Sequence, residues 1–112
     1  MNGQALRESM RCWATGVAVV TSRILENEHG MTVNSFASVS LEPPLVMVAM
    51  DQASRTCAMV SQSGIFGVTI LASHQQAVAE RFAGRNGDFQ NRFDGIPIQR
   101  LQSDLAFISG GL

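Results

Sequence analysis

Short apolar runs rich in β-branched residues recur along the chain, each bounded by polar or glycine-containing turns, as is typical of β-strands. The runs cover residues 17–25, 31–33, 45–50 and 65–71, and residues 96–112 are expected to hold one or two further strands. The polar segment 26–30 is expected to be a turn, which predicts an antiparallel hairpin between the first two runs. Pro43 and Pro44 open the third, where a missing N–H is tolerated.

Helical periodicity marks three further segments. They are residues 4–14, 56–63 and 73–84. In the first, Leu6, Met10 and Trp13 form one apolar stripe at helical spacing. In the third, Ser73 is the expected N-cap and Gln76 stands at the capping-box position. A glycine follows the second helix and another ends the third, where a left-handed terminus is favoured.

Several short strands with a few helices, and no strict strand–helix alternation, predict one mostly β domain over residues 1–112, an antiparallel barrel or sheet decorated by helices. Residues 105–112 resemble the entry to a strand rather than the end of a domain. A closed barrel needs its last strands to remove open edges. We therefore expect either that the chain continues or that a partner subunit covers the gap.

Composition and charge exclude several classes of protein. The net charge is −1 and no Lys/Arg run occurs, which argues against nucleic acid as a partner. No apolar segment approaches the roughly 18 residues of a membrane span, and the N-terminus lacks the pattern of a signal peptide, so a soluble cytoplasmic protein is expected. Charged residues make up only 15% and there are six methionines, which suggests apolar surface buried against a partner or ligand. Cys12 and Cys57 fit neither a zinc site nor a disulfide framework and are expected to be buried small hydrophobes.

Two segments carry candidate binding chemistry. Small polar side chains crowd residues 32–40, where backbone and hydroxyl groups could bind a flat heterocycle or a phosphate. Ser54-Arg55-Thr56 stands where the second helix begins, a favourable place for an anion. The competing interpretations are plain turn or edge-strand residues for the first segment and a simple helix N-cap for the second.

Other chemistry is not indicated. His29 is expected to be solvated in a turn, and Phe82 is more typical of a core than of a stacking platform. No spacing singles out a Ser-His-Asp or Cys-His arrangement, paired carboxylates or a GxGxxG loop. Nothing therefore points to acid–base hydrolysis.

Six segments together resemble one known family. They are TGVAVVTS (15–22), GMTVNSFASVSLEPPLV (30–46), SRTCAMV (54–60), FGVTIL (66–71), QQAVAERFAG (75–84) and NRFDGIP (91–97). In this order and spacing the chain resembles the flavin reductase family, whose FMN-binding split-barrel proteins supply reduced flavin to two-component monooxygenases. The resemblance implies a split β-barrel of antiparallel strands and a pocket at a homodimer interface.

The resemblance also assigns site residues. It places Thr32, Val33, Asn34 and Ser35 along the isoalloxazine ring, Ser38, Val39 and Ser40 toward the ribityl chain, Asp51, Ser54, Arg55 and Thr56 near the phosphate, and Phe82 and Ala83 toward the dinucleotide end of FAD. The implied cofactors are FMN or FAD, with NADH or NADPH as electron donor and an oxygenase component as partner. Hydride passes from nicotinamide to flavin, so no catalytic side chain is expected.

The chain departs from the family in one respect. Family members continue beyond the position of Leu112 with further barrel strands and a His-containing segment associated with the nicotinamide. The resemblance therefore implies a barrel that lacks its C-terminal strands. Two alternatives to a working reductase stay open: a flavin-binding electron carrier without turnover, and a truncated dimerising remnant without catalysis.

Overall fold

The computed structural model describes residues 2–10, 16–84, 91–101 and 104–112. Within these ranges the chain forms three α-helices and seven β-strands. In chain order they are α1 (Gly3–Met10), β1 (Ala18–Ile24), β2 (Asn27–Val33), β3 (Ala37–Leu41), β4 (Pro44–Met47), α2 (Arg55–Ser63), β5 (Gly67–Ile70), α3 (Gln76–Phe82), β6 (Ile98–Arg100) and β7 (Ala106–Ile108). No helix in the described ranges is long and apolar enough to cross a membrane.

All strand pairs are antiparallel, as predicted. The central sheet has the order β2-β1-β5, while β3 pairs with β4 and β6 pairs with β7. The β6–β7 hairpin is tied to the central sheet: Thr21 Oγ1 donates to Ala106 O at 2.7 Å, and Ile108 N donates to Thr69 Oγ1 at 3.1 Å. The prediction of one or two further strands in residues 96–112 is therefore confirmed, and the structure has two.

The predicted turn at residues 26–30 is wrong. The turn is shorter, because β1 ends at Ile24, pairs there with Asn27, and leaves only Leu25 and Glu26 between the strands. Leu25 has a left-handed backbone (φ 54°). Polar residues can continue β2 because its outer edge has no strand partner among the described residues and most of its positions are only partly buried.

Two helix starts tested the capping predictions. Helix α2 begins after Ser54, whose hydroxyl accepts from Cys57 N at 3.1 Å, and ends at the left-handed Gly64 as predicted. Ser73 is not the cap of α3, because that helix begins at Gln76. The buried Gln75 side chain instead bonds the Ala72 N–H and a carbonyl beyond β7, and these bonds define the start of α3.

Some predictions lie outside the described residues. They are the extension of the first helix beyond Met10 with Trp13, and the position of Cys12. Cys57 is free and half-buried.

Side chains of β1 point alternately into two apolar clusters. Val19 belongs to a cluster around Phe82, and Val20 to one on the other side of the sheet; both valines are fully buried. Phe82 and Phe93 meet edge to face, with ring centroids 5.0 Å apart. The expectation that Phe82 is a core residue is therefore confirmed, and this packing fixes the end of α3 against the sheet.

The β3–β4 hairpin is the least buried element pair. Pro44 is the first residue of β4, as predicted, and the Glu42–Pro43 peptide bond is cis. Large apolar side chains of this hairpin lie at least half exposed: Val39, Leu41, Leu45, Val46 and Met47. The hairpin thus has an exposed apolar surface.

Candidate functional site

An open pocket of about 390 Å³ lies at the outer edge of β2, between the start of α2 and the end of α3. Its lining residues are His29, Met31, Thr32, Asp51, Ser54, Arg55, Thr56, Phe82, Ala83, Gly84 and Arg92. Four separate parts of the chain contribute to it, so only the folded protein has the pocket.

Seven of the predicted site residues meet in this pocket. They are Thr32, Asp51, Ser54, Arg55, Thr56, Phe82 and Ala83. These are the residues assigned to the phosphate and to the dinucleotide end, together with the first residue of the ring-lining segment. Phe82 is fully buried and can form only the floor of the pocket.

The other six predicted residues lie along the chain that leads away from it. Val33 is buried in the core, Asn34 is exposed after β2, and the Ser35 hydroxyl bonds both the N–H and the carbonyl of Ala49. Ser38, Val39 and Ser40 belong to β3, in the exposed hairpin. Their contact with a flavin stays a prediction.

The side chains of Asp51 and Ser54 cap the start of α2. Ser54 Oγ donates to Asp51 O at 2.8 Å and accepts from Cys57 N, while Asp51 Oδ1 accepts from Ala53 N at 2.9 Å. The N-cap interpretation of Ser54 is therefore confirmed. The first N–H groups of α2 have no partner within the helix, as at any helix start, and carry the positive end of its dipole.

Two guanidinium groups line the pocket. Arg55 is exposed and has neither a hydrogen bond nor an ion pair within the described part of the chain. Arg92 Nη1 donates to Gly30 O at 3.1 Å and to Phe82 O at 2.9 Å, which ties the edge of β2 to the end of α3. Arg92 was not among the predicted site residues. The only signal for it was its place in the NRFDGIP segment.

His29, Met31 and Gly84 also line the pocket and were not among the predicted site residues. For His29 the expectation of a solvated turn residue is wrong. It lies in β2, half-buried, with Nδ1 2.7 Å from Thr56 Oγ1. Burial, followed by the nearby Arg92 and Arg55 charges, lowers the pKa of His29 from 6.5 to about 4. Because the folded pKa is the lower one, His29 favours the folded state above pH 6.5, and this contribution is lost as the pH falls toward 4.

Thr32 separates this pocket from a smaller one of about 240 Å³. Its hydroxyl donates to Ala79 O at 2.6 Å, which docks α3 against β2. Thr32 and Ala83 line both pockets, and Val17, Gln76, Ala79 and Glu80 complete the second. The two spaces thus lie side by side along α3.

The charges of the main pocket suit an anion. Arg55 and Arg92 outnumber Asp51, and the start of α2 adds N–H donors. Across the described residues, no group of three or more His, Cys, Asp or Glu side chains could hold a metal ion. The chemistry that the pocket supports is binding of an anion.

Known proteins are similar to this chain in sequence and in fold. Residues 10–112 match the family described as flavin reductase like domain. The reductase component of 4-hydroxyphenylacetate 3-monooxygenase from Thermus thermophilus is 43% identical over 82 residues, which are 73% of this chain and 55% of that protein. An NADH-dependent flavin reductase from Rhodococcus is 42% identical over 82 residues, 70% of this chain and 47% of that protein. The chain thus spans about half the length of these relatives.

A solved structure agrees. The flavin reductase component of a bacterial two-component tryptophan halogenase superposes with a TM-score of 0.87 at 35% identity, over 99% of this chain and 70% of that one. The predicted fold class, an antiparallel split β-barrel with a few helices, is confirmed by this likeness and by the strands described above. With the match to the family over residues 10–112, the chain belongs to the flavin reductase family.

Proposed function

We propose that this chain is the flavin-binding part of an NAD(P)H:flavin oxidoreductase that supplies reduced FMN or FAD to a partner monooxygenase. The observation that carries the proposal is the basic pocket at the start of α2, which gathers the residues that the family resemblance assigns to the flavin phosphate. The Rhodococcus relative is named as NADH-dependent, which favours NADH over NADPH. We expect such an enzyme in the cytoplasm, where NADH is available.

The donor set fits a flavin phosphate. Arg55 has no partner to give up among the described residues, and the first N–H groups of α2 lie beside it. Arg92 stands across the pocket and adds a second positive charge. With the phosphate held there, residues 32–35 would lie beside the isoalloxazine ring and residues 38–40 beside the ribityl chain. Ala83 would lie toward the adenylate of FAD.

The protein's part in the reaction is binding and orientation. A bound flavin supplies the hydride chemistry together with the nicotinamide. The chain holds the phosphate end through charge, and the small side chains of residues 32–40 leave room for two stacked rings at near-attack distance. No side-chain nucleophile or general base is assigned.

Titration of the 112-residue chain with FMN and FAD tests this function. We expect saturable quenching of flavin fluorescence, followed by a fall in absorbance at 340 nm when NADH is added. Binding without NADH oxidation would favour the electron-carrier alternative. Absence of flavin binding would contradict the proposal and favour the non-catalytic remnant.

We also propose that two copies of this chain pair through the β3–β4 hairpin, which carries part of the proposed flavin wall. The support is its exposed apolar side chains, of which Leu41 is 88% exposed.

Sedimentation velocity is expected to give a dimer at micromolar concentration. Val46→Glu, in β4, is expected to give a monomer. Leu25→Glu replaces an apolar side chain that is even more exposed but lies in the β1–β2 turn, and it is expected to leave the dimer intact. A wild-type monomer would contradict the pairing.

A further inference from the structure

His29 is the one titratable lining side chain that the proposed flavin contacts leave without a role. Its Nδ1 is bonded to Thr56, and Nε2 has no hydrogen-bond partner in the part of the chain that the structure describes. Thr56 itself is fully buried and its hydroxyl is committed to His29. The imidazole, rather than the Thr56 hydroxyl, is therefore the group that this corner of the pocket offers to a ligand.

We propose that His29 is a third phosphate-binding residue, which takes up a proton when a phosphate monoester enters the pocket and donates from Nε2 to a phosphate oxygen. The proposal rests on the proposed function, in that the phosphate is that of a flavin. His29 and its added proton would then bind the phosphate together with Arg55 and Arg92.

The Thr56 hydroxyl allows both protonation states of the ring. The hydroxyl can donate to Nδ1 of the neutral ring when Nε2 carries the ring proton. When a proton from solvent adds to Nδ1, the hydroxyl rotates and accepts from it, since a hydroxyl can donate or accept. The 2.7 Å contact is thus kept, and Nε2–H stays available to a ligand while the ring carries a full positive charge.

The charges around His29 explain why an anion is needed. The groups facing it are Arg55 from α2, Arg92 from the segment before β6 and Asp51 from the segment before α2. On its own strand, Glu28 is held by Arg100 in a two-point ion pair. The α3 residues in the pocket are uncharged, and the register partner on β1 is Ser22. The two guanidinium groups oppose a third positive charge until a phosphate with close to two negative charges offsets them.

Histidine ring NMR tests the proposal directly, because His29 and His74 are the only two histidines of the chain. The titration midpoint of His29 is expected to rise by about three pH units from its ligand-free value when FMN is bound, because only a rise of that size keeps the ring protonated at pH 6. Riboflavin, which lacks the phosphate, is expected to leave it in place. The exposed His74 lies outside the pocket and serves as the reference signal.

Two outcomes would overturn the inference, and they differ in what else they overturn. If fluorescence shows that FMN is bound while the His29 midpoint stays at its ligand-free value, the phosphate-binding role is wrong and the flavin function stands. If FMN does not bind, the proposed function and this inference fall together.

His29→Gln gives a second measurement in solution. The glutamine amide can still bond Thr56 but cannot take up a proton. At pH 6 the variant is expected to bind FMN about tenfold more weakly than the wild type, because a midpoint raised from about 4 to about 7 contributes about that factor through proton linkage, and the ratio is expected to shrink toward pH 8. Riboflavin affinity is expected to be unchanged. Parallel pH profiles for the two proteins would contradict the proposal.

Discussion

Phe82→Ala is expected to lower the free energy of unfolding by about 3–5 kcal/mol, the usual cost of emptying a buried aromatic site. Phe82 is fully buried and packs edge to face on Phe93. Its ring also fills the space beside Gly30, where an added Cβ would come within 3.0 Å of it. Denaturant titration followed by circular dichroism measures the change, which corresponds to a fall in melting temperature on the order of 10–20 °C.

Two further variants calibrate that result. Phe82→Leu keeps most of the apolar volume and is expected to cost clearly less than Phe82→Ala. Leu25→Ala removes apolar atoms from a side chain that is 86% exposed and is expected to change stability by no more than about 0.5 kcal/mol. If Phe82→Ala were as mild as Leu25→Ala, the packing of α3 on the sheet described here would be wrong.

Arg55→Ala is expected to weaken FMN binding by about 10-fold to 100-fold, because a hydrogen bond to a charged group contributes about 1.5–3 kcal/mol. Riboflavin binding is expected to stay the same. Arg55 has no partner in the described structure, so its loss leaves the fold intact, and the melting temperature of the free protein is expected to be unchanged. Fluorescence titration with the two flavins gives both affinities.

A matched control separates contact from overall charge. Arg7→Ala on α1 removes the same charge from an exposed position outside the pocket and is expected to leave FMN affinity within about twofold. Equal losses of FMN and riboflavin for Arg55→Ala would remove Arg55 from the phosphate site. If Arg55→Ala and Arg7→Ala weakened FMN binding equally, Arg55 would act only through long-range attraction.

Local sequence patterns predicted most of the fold. The strand-like runs at residues 17–25, 45–50 and 65–71, the Ser54 cap and the glycine after α2 depend on neighbours within a few residues, and each coincides with the expected feature. Strand β3 was not predicted, because its small polar residues do not have the composition of a strand. The errors arose where tertiary contacts override local preference. Gln75 rather than Ser73 defines the start of α3 because it bonds Ser109, 34 residues away. The polar start of β2 has the composition of a turn, which is why a turn was predicted there. It forms a strand because an edge strand tolerates polar residues that a central strand excludes.

The site was predictable only where a motif marks it. Arg55 stands at a helix start, which has a sequence signature. Arg92 enters the pocket through a bond to Gly30, 62 residues away, and no local pattern records such a contact. His29 faces α2 because β2 extends further than its polarity suggests. The placement of residues 33–40 beside a flavin depends on the family resemblance alone.

The two hydrogen bonds of the Arg92 side chain affect local opening of the protein. One guanidinium holds a carbonyl at the end of α3 and a carbonyl on the outer edge of β2. Displacement of the guanidinium breaks both bonds at once, so the last turn of α3 and the edge of β2 are expected to open together in amide hydrogen exchange, as a single cooperative unit. A ligand lodged between them would slow exchange at both places at once.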